Sequence, residues 1–109
     1  MKDPLTFQRL RETNVRRCRE AFKRCLSDWS LAEWSNAMAG ECGEACNLTK
    51  KMLRGDKGGK RDIKELGKEI ADVVVYADLL AAAAGIDLEK AIIEKFNEVS
   101  DRKKSKIKL

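Results

Sequence analysis

Four carboxylates fall in two pairs with helical spacing. Glu41 and Glu44 lie in Ala39-Gly40-Glu41-Cys42-Gly43-Glu44-Ala45-Cys46, and Glu69 and Asp72 in Glu69-Ile70-Ala71-Asp72. Residues i and i+3 share one face of a helix, so each pair would project as a unit. Like charges at this spacing cost an exposed helix about 0.2–0.5 kcal/mol. A hard divalent cation such as Mg²⁺ would relieve that repulsion, because it takes oxygen ligands and keeps several waters. Charged residues make up 38% of the chain, so either pair alone reads equally well as solvated surface. Two glycines, Gly40 and Gly43, flank the first pair in what otherwise reads as helix interior. Glycine there costs roughly 1 kcal/mol against alanine and permits close approach of a backbone or a ligand.

The helix that carries the second pair separates the two readings. Ile63, Leu66, Ile70, Val73, Val74, Ala77, Leu80, Ala81 and Ala84 form an apolar stripe, and Val75, Leu79, Ala82 and Ala83 add apolar surface elsewhere. From Val73 onward this helix, expected over 61–84, is apolar nearly all round, which implies burial on several sides and a second subunit. Glu65, Glu69, Asp72 and Tyr76 run along one edge at spacings of three or four. Carboxylates beside so apolar a helix are costly unless paired or metal-bound.

The other elements follow from caps and breakers. Asp3-Pro4 or Thr6 opens a first helix whose stripe is Phe7, Leu10, Val15, Cys18, Phe22, Cys25 and Leu26, with Asn14 among them. Its opposite face is basic, with Arg9, Arg16, Arg19 and Lys23. Ser27-Asp28-Trp29-Ser30 breaks the pattern, and Ser30 with Glu33 makes a capping box for a second helix to about Arg54. Trp34 lies seven residues before Glu41 and shares its face. Gly55 to Lys60 is a glycine- and lysine-rich loop without the Gly-Lys-[Ser/Thr] ending of a Walker-type phosphate loop. It reads as a connector or as a cationic flap over phosphates. Gly85 ends the third helix, and Asp87 caps a fourth with Leu88, Ala91, Ile92, Phe96 and Val99 on its apolar face. A basic tail follows over about 103–109.

These features predict one all-α domain over residues 1–109, a four-helix, bundle-like fold completed by dimerisation. No apolar run reaches 18 residues and the N-terminus has no signal-peptide core, so a cytoplasmic protein without a membrane partner is expected. Cys18, Cys25, Cys42 and Cys46 occur with no histidine, and they read as buried reduced thiols rather than a zinc site. The net charge of +5 suits a phosphate-rich ligand. It concentrates in Lys50, Lys51, Arg54, Lys57, Lys60 and Arg61, and again in Arg102, Lys103, Lys104, Lys106 and Lys108. Neither cluster interleaves an aromatic residue, which disfavours nucleic acid as a partner.

A helix with Glu-x-x-Glu, a basic loop, a helix with Glu-x-x-Asp, Gly-Ile-Asp-Leu and a final Lys/Asn/Arg helix together resemble the MazG-like all-α nucleotide pyrophosphohydrolases, in their small single-domain form. The resemblance covers roughly residues 30 to 102. It implies a four-helix subunit assembled as a dimer or a dimer of dimers. It also implies Mg²⁺-dependent hydrolysis of a nucleoside triphosphate to monophosphate and pyrophosphate, with Mn²⁺ as a substitute, in house-cleaning of the nucleotide pool. Glu41, Glu44, Glu69 and Asp72 match the family's metal positions, and Tyr76 a position near the nucleotide. Lys95 and Arg102 fit the family's last-helix pattern Lys-x-x-x-Asn-x-x-basic. Val99 stands at the Asn position, and Asn97 would replace it only with a different geometry. On this reading Glu41 or Glu44 takes the water's proton. Lys51 and Arg54, then Lys50 and Lys60, meet phosphate, and Asn14, Trp34 and Asn36 contact base or sugar; Asn14 reads equally as a partner-satisfied buried amide and Trp34 as core. The competing readings are a non-enzymatic helical nucleic-acid-binding module, and a regulatory dimer that holds a cation only for stability.

Overall fold

Four α-helices make up the computed structural model: α1 (Phe7–Glu20), α2 (Leu31–Leu53), α3 (Lys60–Ala83) and α4 (Leu88–Arg102), with a 3₁₀ turn at Leu26–Asp28. The structure describes residues 3–55 and 60–109, without the side chains of Lys60 and Arg61, and contains no strand among them. The heart of the expected phosphate flap, Asp56–Gly59, lies outside the described residues, as does the side chain of Lys60. No helix among the described residues is long and apolar enough to cross a membrane.

Local chemistry sets the boundaries. Thr6, not Asp3-Pro4, caps α1, its hydroxyl accepting from the Arg9 N–H at 3.0 Å. The expected stripe through Phe22, Cys25 and Leu26 is cut at Glu20. Lys23 takes φ 54°, and the Arg24 N–H turns back to the Cys18 carbonyl at 3.1 Å. Ser30 and Glu33 cap α2 reciprocally: the Glu33 N–H donates to Ser30 Oγ at 3.2 Å and the Ser30 N–H to Glu33 Oε2 at 2.7 Å. Gly85, at φ 70°, ends the run of α3, and the Ile86 N–H bonds the Ala81 carbonyl at 2.8 Å in a left-handed C-cap. Asp87 then caps α4 through the Lys90 N–H.

Packing departs from a four-helix bundle. The pair α2 and α3 forms the scaffold, α1 lies against α3, and α4 makes only marginal contact with the rest. The radius of gyration, 16.5 Å, exceeds the about 13 Å of a compact domain of this size. Cys18, Trp34 and Leu79 form the core, with Leu26, Trp29, Tyr76, Leu80 and Ala83 packed around them. Of the four cysteines, expected to be buried, only Cys18 is; Cys25, Cys42 and Cys46 are exposed, and all four are free thiols. A side chain at Gly40 or Gly43 would meet open space, so no close approach within this chain requires either glycine. Ile70 and Val74 on α3 and Phe96 on α4 stand 52%, 43% and 43% exposed.

Candidate functional site

The α2–α3 contact brings the two acidic pairs together. One carboxylate oxygen from each of Glu41, Glu69 and Asp72 can be chosen so that all three lie within 4.8 Å of one another. Glu44 is more exposed and lies beside both Glu41 and Glu69. Glu41 Oε2 and Glu69 Oε2 are buried and have no hydrogen-bond partner among the described residues. A buried acceptor without a donor costs about 1–3 kcal/mol, more if charged. Burial, followed by repulsion from Glu44, Asp72 and Glu69, pushes the Glu41 carboxyl above the usual carboxylate range. The Glu69 carboxyl is raised as well, by desolvation first and then by Glu44, Asp72 and Glu65. All-oxygen donors, two orphaned buried oxygens and a surplus of negative charge fit a hard divalent cation that keeps open positions for water and phosphate.

The cluster opens into a cleft. Glu41 and Asp72 line a pocket of about 250 Å³ with Arg17, Phe22, Val75, Tyr76 and Leu79. Phe22, Tyr76 and Leu79 also wall a second pocket, of about 150 Å³, completed by Cys18, Arg24, Trp29 and Trp34. One end of the cleft is therefore acidic and the other aromatic. The turn after α1 builds the aromatic end. The rings of Trp29 and Trp34 meet at 4.6 Å with planes 55° apart, and Trp34 Nε1 donates to the Leu26 carbonyl at 2.9 Å. The Arg24 guanidinium lies 4.3 Å over Trp29, and that of Arg17 lies 5.6 Å over Phe22.

Six of the expected site residues reach this cleft or its acids: Glu41, Glu44, Glu69, Asp72, Tyr76 and Trp34. Trp34 is only 1% exposed and serves as the floor of the aromatic pocket as well as the core. Asn14 is a correction. It is buried, and its amide nitrogen is engaged by the Val75 carbonyl at 2.9 Å and Asp78 Oδ2 at 3.1 Å, so it holds α1 to α3 instead of meeting a ligand. Asn36 is solvent-exposed on α2 and lines neither pocket. Lys51 and Arg54 lie in the last turn and cap of α2, exposed and outside both pockets. Lys51 is about 10 Å beyond Glu44 along the helix axis at 1.5 Å per residue. Within this chain α4 carries its expected residues away from the acids. Lys95 pairs with Glu98 at 3.1 Å. Asn97 instead clamps the tail: its amide nitrogen donates to the Leu109 carbonyl at 3.2 Å, and its oxygen accepts from the Leu109 N–H at 2.8 Å. Arg102 is exposed at the end of α4.

Arg17, Phe22, Arg24 and Trp29 were not singled out as site residues by the sequence reading. The signal that could have found them is the alternation of cations and aromatics from Arg17 to Trp29. It was masked because Phe22 also fits the helical stripe. No family model, no curated protein and no solved structure matches the chain.

Proposed function

We propose that this cleft binds a nucleoside triphosphate with Mg²⁺ and hydrolyses the bond between its α- and β-phosphates, releasing monophosphate and pyrophosphate, as in the MazG-like pyrophosphohydrolases that the sequence resembles. The observation that carries the reading is the pair of buried oxygens of Glu41 and Glu69 on two packed helices, unpartnered among the described residues, with Glu41 and Asp72 lining a pocket that shares Phe22, Tyr76 and Leu79 with an aromatic one. A cation alone would explain the acids. A flat apolar ring next to phosphates explains the acids and the aromatic wall together.

Glu41, Glu69 and Asp72 would hold the ion, which would polarise phosphoryl oxygens and sharpen a bound water as nucleophile. Glu44, outside that three-ligand set but beside two of its members, accepts the proton from the attacking water. Arg17 is the cation that lines the acid-walled pocket, and it meets phosphate oxygens. Tyr76 forms the wall common to both pockets and holds the sugar end between base and phosphates.

The enzyme works as a homodimer or tetramer on this reading. The apolar faces of α3 and α4, which include Ile70, Val74, Ile92 and Phe96, stand partly open among the described residues, and the loose packing suits a subunit that packs on copies of itself. Light scattering after gel filtration should give a multiple of the 12.3 kDa chain mass.

Pyrophosphate release from a panel of ribo- and deoxyribonucleoside triphosphates, with Mg²⁺, with Mn²⁺ and with EDTA, tests the activity. Metal-dependent formation of monophosphate and pyrophosphate in equal amounts is expected. If no triphosphate is cleaved while Mg²⁺ still raises the melting temperature, the acids hold a cation for stability alone and the catalytic reading falls.

A further inference from the structure

The aromatic pocket offers hydrogen-bond donors and almost nothing that accepts. Its lining includes Arg24, whose guanidinium has five N–H donors and no acceptor, and Trp29, whose indole N–H only donates. The Cys18 thiol is 2% exposed, and burial favours its protonated form, leaving a weak donor. Neighbouring acceptors are already taken. The Leu26 carbonyl is bonded by the Trp34 indole, the Cys18 carbonyl by the Arg24 N–H and the Cys25 carbonyl by the Asp28 N–H. Asp28 accepts from the Cys25 N–H. Arg24 itself has no carboxylate partner among the described residues; its guanidinium rests on Trp29. The Tyr76 hydroxyl, which both donates and accepts, is the one side-chain acceptor of ordinary strength in the lining.

We infer that the pocket selects nucleobases that carry carbonyl oxygens and no exocyclic amino group, with uracil, thymine and hypoxanthine favoured over cytosine and adenine, and that Arg24 is the residue that sets this preference. The inference rests on the reading of the cleft as a nucleotide site. Uracil and cytosine have nearly the same shape, as do hypoxanthine and adenine, so ring size cannot make the distinction. Each favoured ring supplies oxygens to Arg24 and has a single ring N–H at its pairing edge, which the Tyr76 hydroxyl can accept. An amino group adds two donors in a site already filled with them, and a site whose polar groups are left unpaired discriminates strongly. The pocket volume of about 150 Å³ favours the single-ring members.

Two readouts keep this separable from the catalytic proposal. The chain's two tryptophans both line the pocket, so quenching of their fluorescence by UMP, CMP, IMP and AMP reports occupancy without turnover. UMP should bind at least about tenfold tighter than CMP, and IMP than AMP, and kcat/KM for the corresponding triphosphates should follow the same order. Arg24→Glu replaces donors with acceptors and should invert both ratios, Arg24→Gln should level them, and Arg24→Lys should keep their sign. Arg16→Gln, on α1 and paired with Glu20 outside the pocket, should change neither ratio. Equal binding of keto and amino partners, or ratios unmoved in Arg24→Glu and Arg24→Gln, overturns the inference and leaves the pyrophosphohydrolase standing. Keto preference without hydrolysis would do the reverse. Failure of all four monophosphates to bind, with no triphosphate hydrolysed, removes both.

Discussion

One helix, α3, treats its carboxylates in two opposite ways. Asp78 is 1% exposed and fully served: Arg11 Nε donates to it at 2.9 Å and Asn14 Nδ2 at 3.1 Å. The Arg11 guanidinium also reaches the Ile86 carbonyl at 3.0 Å, tying α1 to the end of α3. Less than three turns earlier, Glu69 and Asp72 gather with Glu41 and Glu44 without a salt bridge among the described residues, and two buried oxygens have no donor there. The chain is not short of positive charge, since it carries a net +5. Among the described residues the buried Asp78 has an ion-pair partner and the cluster has none.

Removing the partner at the structural acid should have the largest effect. Arg11→Met leaves Asp78 buried with Asn14 alone. The cost should be about 3 kcal/mol, the lower end of the range for stripping a buried ion of its partner, because Arg11 is itself partly open to water. Thermal melts should show a fall of more than about 10 °C. A fall of only a degree or two would mean that Asp78 is no more committed than the cluster, and the contrast would collapse.

The same deletion of charge at the cluster should act in the opposite sense on stability and abolish function. Glu69→Gln and Glu44→Gln remove like-charge repulsion, so the metal-free protein should melt no lower than wild type. Turnover should fall at least about a hundredfold, given that loss of even the outer partners of a metal ligand costs 10–100-fold. Circular dichroism and the pyrophosphate assay on one preparation separate the two effects. Wild-type turnover by either variant would remove the metal-site assignment.

The titration of the cluster gives the next effect in size. Glu41 and Glu69 have carboxyl pKa values raised above those of the unfolded chain. Between the unfolded and folded values the native state binds more protons than the unfolded state, so stability falls as pH rises through that window. In EDTA the melting temperature, referenced to Glu41→Gln/Glu69→Gln at each pH, should therefore decline from mildly acidic to neutral pH. Saturating Mg²⁺ should flatten the decline. A reference-corrected profile that rises across the window would show the carboxyls to be stabilised as anions without metal, against the geometry.

What the sequence made legible was what local rules control. The i,i+3 acids, the Ser30–Glu33 box, the Gly85 stop and the Asp87 cap depend on neighbours within a turn, and the structure shows each. The fate of Asp78 depended on Arg11, 67 residues away, and helical spacing holds no trace of that pairing. Asn14 stayed open for the same reason, since a polar residue in an apolar stripe is equally a ligand contact or a buried amide until its partner is known, and Asp78 decides for the amide. The turn after α1 was hidden because Phe22, Cys25 and Leu26 continue the helical period by chance of spacing. The isolation of α4 was hidden because an apolar face looks the same whether this chain or another covers it.

The contrast on α3 has a smaller counterpart on α1. Arg11 is committed to Asp78, whereas Arg17, less than two turns on, has no carboxylate partner among the described residues and lies over Phe22 in the pocket that Glu41 and Asp72 line. An arginine held by a ring face exchanges that contact readily for a phosphate oxygen, because an exposed cation–π contact is worth only about 0.5–1 kcal/mol while a hydrogen bond to a charged group is worth about 1.5–3. Replacing Arg17 with methionine keeps the apolar stem over Phe22 and removes the charge. KM for the preferred triphosphate should rise about tenfold with kcat changed by less than about threefold, the pattern of a contact made equally in the ground and transition states. Lys51→Met, at the end of α2 and outside both pockets, should leave KM within about twofold of wild type. If Lys51→Met raises KM and Arg17→Met does not, the phosphates run toward the end of α2, as the resemblance implies for Lys50, Lys51 and Arg54, and Arg17 belongs to the rim of the cleft alone.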